Sequence, residues 1–228
     1  MRRKLMILAL CSLFILPVFA ASSGPNSPAT LADDASNGGT QTWSSTANAA
    51  ASDNAYATAP CECNKVGLTL VHDTTHYLKA TNFGFSLPAD ATIDGITVEI
   101  ERHQSGLFAN VIDDTVSLVV SGTVQGSNQA AGINWPTSDV YVQYGPSLWG
   151  LSLSPAQVNA SNFGVVIAAR DSAGAGECPN NGSALIDHIR VTAVYTPAPP
   201  PPNGKPRRMI QMSRYAGLIE SSYWRFAA

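Results

Sequence analysis

Ala80-Thr81-Asn82-Phe83-Gly84-Phe85, followed by Ile93-Asp94-Gly95-Ile96-Thr97-Val98, is a phrase the chain uses twice. It returns as Ala160-Ser161-Asn162-Phe163-Gly164-Val165, followed by Ile186-Asp187-His188-Ile189-Arg190-Val191. Each copy alternates apolar and polar residues: Phe83, Phe85 and Leu87; Ile96, Val98 and Ile100; Phe163, Val165 and Ile167; Ile189, Val191, Ala193 and Tyr195. A period of two puts successive side chains on opposite faces of a strand, so these are half-buried strands and the body is an all-β domain built of two matching halves. The repeated residues are architectural on this reading. Phe83 and Phe163 anchor the core, Gly84 and Gly164 relieve a bend or bulge, and Asp94 and Asp187 hold the chain where strands begin.

Around this phrase, Gly67–Val71, His76–Lys79, Thr115–Val120 and Val140–Tyr144 read as further strands. Turn-rich stretches such as Ser121-Gly122, Gly126-Ser127-Asn128 and Asn180-Asn181-Gly182 separate them. The expected fold is a two-sheet antiparallel β-sandwich of jelly-roll type. Ser154-Pro155 is a cap followed by proline at the first helical position, which predicts a single helical turn over Pro155–Asn159.

The ends differ in composition from the body. Arg2-Arg3-Lys4, an apolar run from Leu5 to Phe19 and the small residues Ala20-Ala21-Ser22-Ser23 have the layout of a secretory signal peptide, residues 1–20, with cleavage after Ala20. Residues 21–41 carry little apolar periodicity and read as a flexible lead-in, which leaves 42–196 as the sandwich domain. Residues 197–206 are a Pro-rich linker that favours extended polyproline II.

Residues 207–228 form a basic tail in which Met209, Met212, Ala216, Ile219, Tyr223 and Phe226 recur at three- and four-residue steps, an amphipathic helical pattern. Its docking residues are Arg207, Arg208, Met212, Arg214, Ile219, Tyr223 and Phe226. The asymmetry of charge is marked: residues 21–204 carry −10 and residues 205–228 carry +4. The expected partners are therefore other copies of the chain or another surface protein engaged by the tail, with membrane contact only through that tail. An acidic body argues against nucleic acid.

Charged residues make up 13% of the chain, about half the usual share. The surface is thus mostly Ser, Thr, Asn, Gln and Gly, as in many exported β proteins, and the expected location is secreted, extracellular or the cell envelope. In an oxidising compartment Cys178 pairs with the Cys61-Glu62-Cys63 segment, Cys63 being the preferred partner and Cys61 the alternative.

Candidate sites are few. Trp135, Tyr141, Tyr144 and Trp149 lie in one stretch, and Trp135, Tyr144 and Trp149 are candidates for stacking on sugar rings, with polysaccharide as the ligand. Trp135, flanked by polar residues and proline, is the one expected to be exposed, whereas Trp149 also fits a plug at the end of the sandwich. Asp113 and Asp114 precede a strand and are weak candidates for Ca²⁺, an ion that takes six to eight oxygens; no other cofactor is expected. His72 and His76 make an incomplete ligand set. Glu99 and Glu101, two apart on one strand, read as a solvated face instead of a glycosidase pair. No Gly-x-Ser-x-Gly, His-Glu-x-x-His or phosphate-cradling loop occurs.

The run from Asn82 to Ile100, with Tyr144-Gly145, Leu148-Trp149-Gly150, Asn162-Phe163-Gly164-Val165 and Ile186-Asp187-His188-Ile189-Arg190-Val191-Thr192-Ala193-Val194-Tyr195 downstream, resembles a loosely defined group of uncharacterised bacterial and phage-associated extracellular β-sandwich domains. The resemblance covers residues 43–196. It implies fold and export and carries over no catalytic residue. The functional expectation is a non-catalytic secreted or cell-surface module acting by protein interaction, self-assembly or adhesion. A carbohydrate-binding module is the alternative, and a hydrolase with an unrecognised site the third reading.

Overall fold

A computed structural model describes residues 19–199. Residues 1–18 and 200–228, and with them most of the expected signal peptide and the whole expected docking tail (Arg207, Arg208, Met212, Arg214, Ile219, Tyr223 and Phe226), lie outside the described residues.

Two antiparallel sheets pack face to face. The first contains β1 (Ala21–Asn26), β12 (Ser183–Thr196), β7 (Thr92–Ser105) and β10 (Val140–Ser147) in the order 1-12-7-10, with β3 (Ala57–Pro60) also paired to β12. The second runs 2-6-11-8-9, from β2 (Thr30–Asp34) through β6 (Tyr77–Thr81), β11 (Gly164–Asp171) and β8 (Val111–Val120) to β9 (Thr123–Gln125). Without β2 and β3, the orders 1-12-7-10 and 6-11-8-9 are those of an eight-stranded jelly roll, as the alternating pattern predicts. A separate hairpin, β4 (Cys63–Val66) and β5 (Thr69–His72), stands outside both sheets.

The repeated phrase explains the centre of the molecule. β7 and β12 are neighbours in the first sheet, with Ile96 opposite Ala193, Val98 opposite Val191 and Ile100 opposite Ile189. β6 and β11 are neighbours in the second, where Gly164 lies opposite Thr81. The two copies are not equivalent: β6 ends at Thr81, before the first Asn-Phe-Gly, whereas β11 begins at Gly164 within the second; Phe83 and Phe163 are nonetheless both buried between the sheets. A Cβ on Gly164 would stand 1.9 Å from the Ala80 carbonyl oxygen, so this glycine is required by the close approach of β6 to β11.

Two expectations are corrected. Residues 21–41 are not a flexible lead-in: β1 pairs with β12 from Ala21↔Tyr195 onward, and β2 pairs with β6 along Thr30–Asp34. Both are edge strands with no fully buried residue, so no core face imprints an apolar alternation on them, and Gly24-Pro25 is tolerated there. Phe83, Phe85 and Leu87 alternate like a strand but have no ladder, because the chain is crossing from the second sheet to the first. Asn159 replaces the ladder at Leu87, accepting from its N–H at 2.8 Å and donating to its carbonyl at 2.9 Å.

The helical turn α1 (Pro155–Val158) forms as expected, closed by a capping box between Ser154 and Gln157. Among the described residues no helix is long and apolar enough to cross a membrane.

β12 fixes the long axis. Its last residues pair with Thr92 and with Ala21, so the N-terminal strand begins, and the chain leaves the sandwich, at the same end. Its first residue, Ser183, lies opposite Ser105 and Pro60, about 40 Å away along a fourteen-residue strand.

Candidate functional site

The aromatic residues expected to face a ligand lie in the interior. Trp135 is 1% exposed; its indole Nε1 donates to Asp113 Oδ1 at 2.9 Å and its backbone N–H to the Val111 carbonyl at 2.7 Å. Tyr144 donates its hydroxyl to Asp113 Oδ2 at 2.9 Å, and burial pushes its phenol up to about 12. Trp149 donates to the Ile96 carbonyl at 3.0 Å and is buried toward the end of the sandwich where β12 finishes. None of the three can stack on a sugar. The signal that misled was the polar neighbourhood of Trp135: Asn134 is exposed while the indole beside it turns inward onto a buried carboxylate.

Asp113 is that carboxylate, and Asp113 and Asp114 do not form a cation site. Asp113 accepts from Arg102, Trp135, Tyr144 and the Ala131 N–H, which engages both of its oxygens. Asp114 turns the other way, 3.8 Å from Arg170 and bonded to the Thr115 hydroxyl. Arg102 lies with its guanidinium carbon 4.4 Å from the Trp135 ring centre, and desolvation brings it down to about 10.

Cys63 and Cys178 form a disulfide, and Cys61 is a buried free thiol whose pKa burial raises. His72 and Asp171 lie beside the bridge, and one ligand atom from each of Cys63, His72 and Asp171 falls within 4.8 Å of the others. The sulfur of Cys63 is already bonded, and His72 Nδ1 is 2.6 Å from Asp171 Oδ2, so this group holds itself together. His72 and His76 do not meet: His76 pairs instead with Asp33.

The disulfide braces the end of the sandwich remote from Ala21 and Thr196. Asn180, 7% exposed, is its hub. Its Oδ1 accepts from the Cys63 N–H at 2.7 Å, and its Nδ2 donates to Asp171 at 2.8 Å and to the Phe108 carbonyl at 3.3 Å. The hairpin β4–β5, the β7–β8 turn and the end of β11 are thereby tied to one loop.

Gly106 in that turn has φ +119 and would place a Cβ 2.2 Å from the Asn181 carbonyl oxygen, so the turn lies directly on the braced loop. From this scaffold large apolar side chains face solvent. Leu68 at the hairpin tip is fully exposed, Val66, Leu107 and Phe108 are more than half exposed, and so is Ile133 in the loop that Asn134 ties to Asn110.

No protein-family model and no curated protein matches the chain. One solved structure, from work described as "Prominent members of the human gut microbiota express endo-acting O-glycanases to initiate mucin breakdown", aligns over 80% of this chain and 100% of its own. Its identity is 10% and its TM-score 0.26, a likeness too low to carry an argument.

A second polar assembly covers the outer face of the first sheet. Glu99 takes two bonds from Arg190, at 3.0 and 2.9 Å. Glu101 is only partly solvated, and its Oε2 is sealed from solvent without a partner. This corrects the reading of these two glutamates as a plain solvated face. The segment before β3 lies across them: Ala50 bridges to His188, and the Asp53 N–H bonds Asp187 at 3.3 Å. Tyr56 donates to Asp139 Oδ2 at 2.7 Å, and His103 Nδ1 sits 2.7 Å from Asp139 Oδ1.

Proposed function

We propose that the protein is an extracellular interaction module that meets its partner with the disulfide-braced loop end, a second copy of the chain being the partner. The observation that carries this is the placement of Leu68, Leu107 and Phe108. They are exposed, held on loops cross-linked through Cys63–Cys178, and stand at the end of the sandwich opposite Ala21 and Thr196.

Exposed apolar side chains carried on one braced end of the sandwich support an interaction site there. An apolar patch is also self-complementary, so two copies can meet end to end about a twofold axis without bringing like charges together. The leader-like first twenty residues and a disulfide both accord with an exported protein.

Hydrogen exchange at low and high protein concentration tests the reading. Amides of residues 66–71 and 106–109 are expected to slow as concentration rises, while the edge of β2 is unaffected. Equal exchange at both concentrations would exclude self-association through these loops.

A further inference from the structure

The four histidines are not alike. His72, His76 and His103 each set Nδ1 against a carboxylate, at 2.6, 2.8 and 2.7 Å. The ring of His188 is held between two hydroxyls: Ser27 Oγ is 2.8 Å from Nε2, and Tyr141 Oη is 2.7 Å from Nδ1. Ser27 is exposed, in the connection between β1 and β2, while His188 beneath it is 8% exposed. Strand register makes the arrangement rigid. Tyr141 on β10, Glu101 on β7 and His188 on β12 occupy one row across three adjacent strands, and Arg190 stands in the next row beside Glu99.

A serine hydroxyl on one ring nitrogen and an orienting group on the other is the arrangement that turns a hydroxyl into a nucleophile. We propose that Ser27 is a nucleophile and His188 its general base, forming a site that hydrolyses carboxylic esters. This goes beyond the interaction reading and stands independently of it, on a different face of the molecule.

The proton inventory is consistent. The Ser27 hydroxyl donates to Nε2, which leaves Nδ1 carrying its proton toward the Tyr141 oxygen. Burial, and after it the Arg190 charge, holds His188 below its ordinary value, so the imidazole is neutral near pH 7. Glu101, Asp187 and Glu99 face the same ring and oppose that shift.

The steps balance. Ser27 Oγ bonds to the ester carbonyl carbon as its proton passes to His188 Nε2. The tetrahedral species then releases the alcohol, which takes that proton. Water attacks the acyl-serine, gives its proton to Nε2, and Oγ leaves with it. Tyr141 is a positioning residue, acting through the ring of His188. Esters are the class chosen because their alcohol leaves without the strong protonation an amine requires.

The test is covalent labelling of the full chain with a fluorophosphonate, which forms an Oγ–P bond as fluoride departs with the serine proton. The expected result is a single adduct on Ser27, absent in Ser27→Ala. His188→Gln should label about 100-fold more slowly, the usual share of a general base. The labelling rate should rise with pH to a plateau whose midpoint lies below 6.5, and Tyr141→Phe should move that midpoint.

Circular dichroism establishes that each variant is folded. A folded wild-type chain that stays unlabelled at Ser27, or a folded His188→Gln chain that labels at the wild-type rate, would overturn the proposal. The Ser27–His188 bond would then be only a strap fastening the β1–β2 connection to the sheet.

Discussion

Arg102 of β7 and Asp113 of β8 form an ion pair inside the sandwich, their side chains 3% and 0% exposed, and so join the first sheet to the second. The pair is closed over by Trp135 and Tyr144, both bonded to the same carboxylate. Such a pair adds little net stability by comparison with an apolar core, but removing one partner leaves the other charge buried and alone.

Asp113→Ala is therefore expected to destabilise the fold by about 3–5 kcal/mol, measured by urea unfolding. It strands Arg102, the Trp135 indole and the Tyr144 hydroxyl together. The double variant Arg102→Met with Asp113→Leu should recover much of that loss. Similar stability for Asp113→Ala and the wild type would mean that the pair is open to water.

Trp135→Ala should lose about 3–5 kcal/mol, as for a large core side chain. That outcome separates its structural part from the ligand-stacking part its sequence suggested. A variant of unchanged stability would return Trp135 to the surface.

How much of this was legible in the sequence depends on what each residue answers to. The repeated phrase and its period of two report local geometry: they point to an all-β sandwich with Phe83 and Phe163 as core anchors, whereas the pairing of β7 with β12 emerges only in the fold. The Cys63–Cys178 bridge followed from three cysteines and an oxidising compartment. Trp135 was misread because its burial depends on Asp113, twenty-two positions earlier, which only folding brings beneath it. β1 and β2 carry no alternating signal because neither buries a side chain fully; their ladders to β12 and β6 are made by the backbone alone. Asn180 gives no local sign, since two of its three partners, Cys63 and Phe108, lie 117 and 72 positions away. His188 lies within the quoted phrase, but its meeting with Ser27 across 161 positions is a consequence of topology.

Opening the disulfide by Cys178→Ser should cost about 2–5 kcal/mol, because the bridge closes a long loop between residues 115 positions apart. Cys61 should resist alkylation in the folded protein and react once unfolded, since burial keeps its thiol protonated. One thiol reacting quickly in the native state would contradict its burial.

Acidification offers a separate check on His188. Its folded value lies below 6.5, so as pH falls the unfolded chain takes up the proton first. Native stability thus declines from about pH 6.5 downward until the folded value is passed, and then levels off. The difference in unfolding free energy between the wild type and His188→Gln should slope in that window and be flat above it. A difference that is flat throughout would place the ring in water.

Gly106→Ala should disturb the remote loop end while sparing the sandwich. Its Cβ would collide with the Asn181 carbonyl oxygen, so the β7–β8 turn must lift from the braced loop. Faster hydrogen exchange at residues 106–110 and 178–182, with β7 and β12 protected as before, is the expected pattern.

The most direct measurement is the solution mass of the full chain at high concentration by light scattering, beside a variant carrying Leu68→Ser, Leu107→Ser and Phe108→Ser. Association through the braced loop end predicts twice the single-chain mass for the wild type and the single-chain mass for the variant. A single-chain mass for both, or an equal assembly in both, would contradict it.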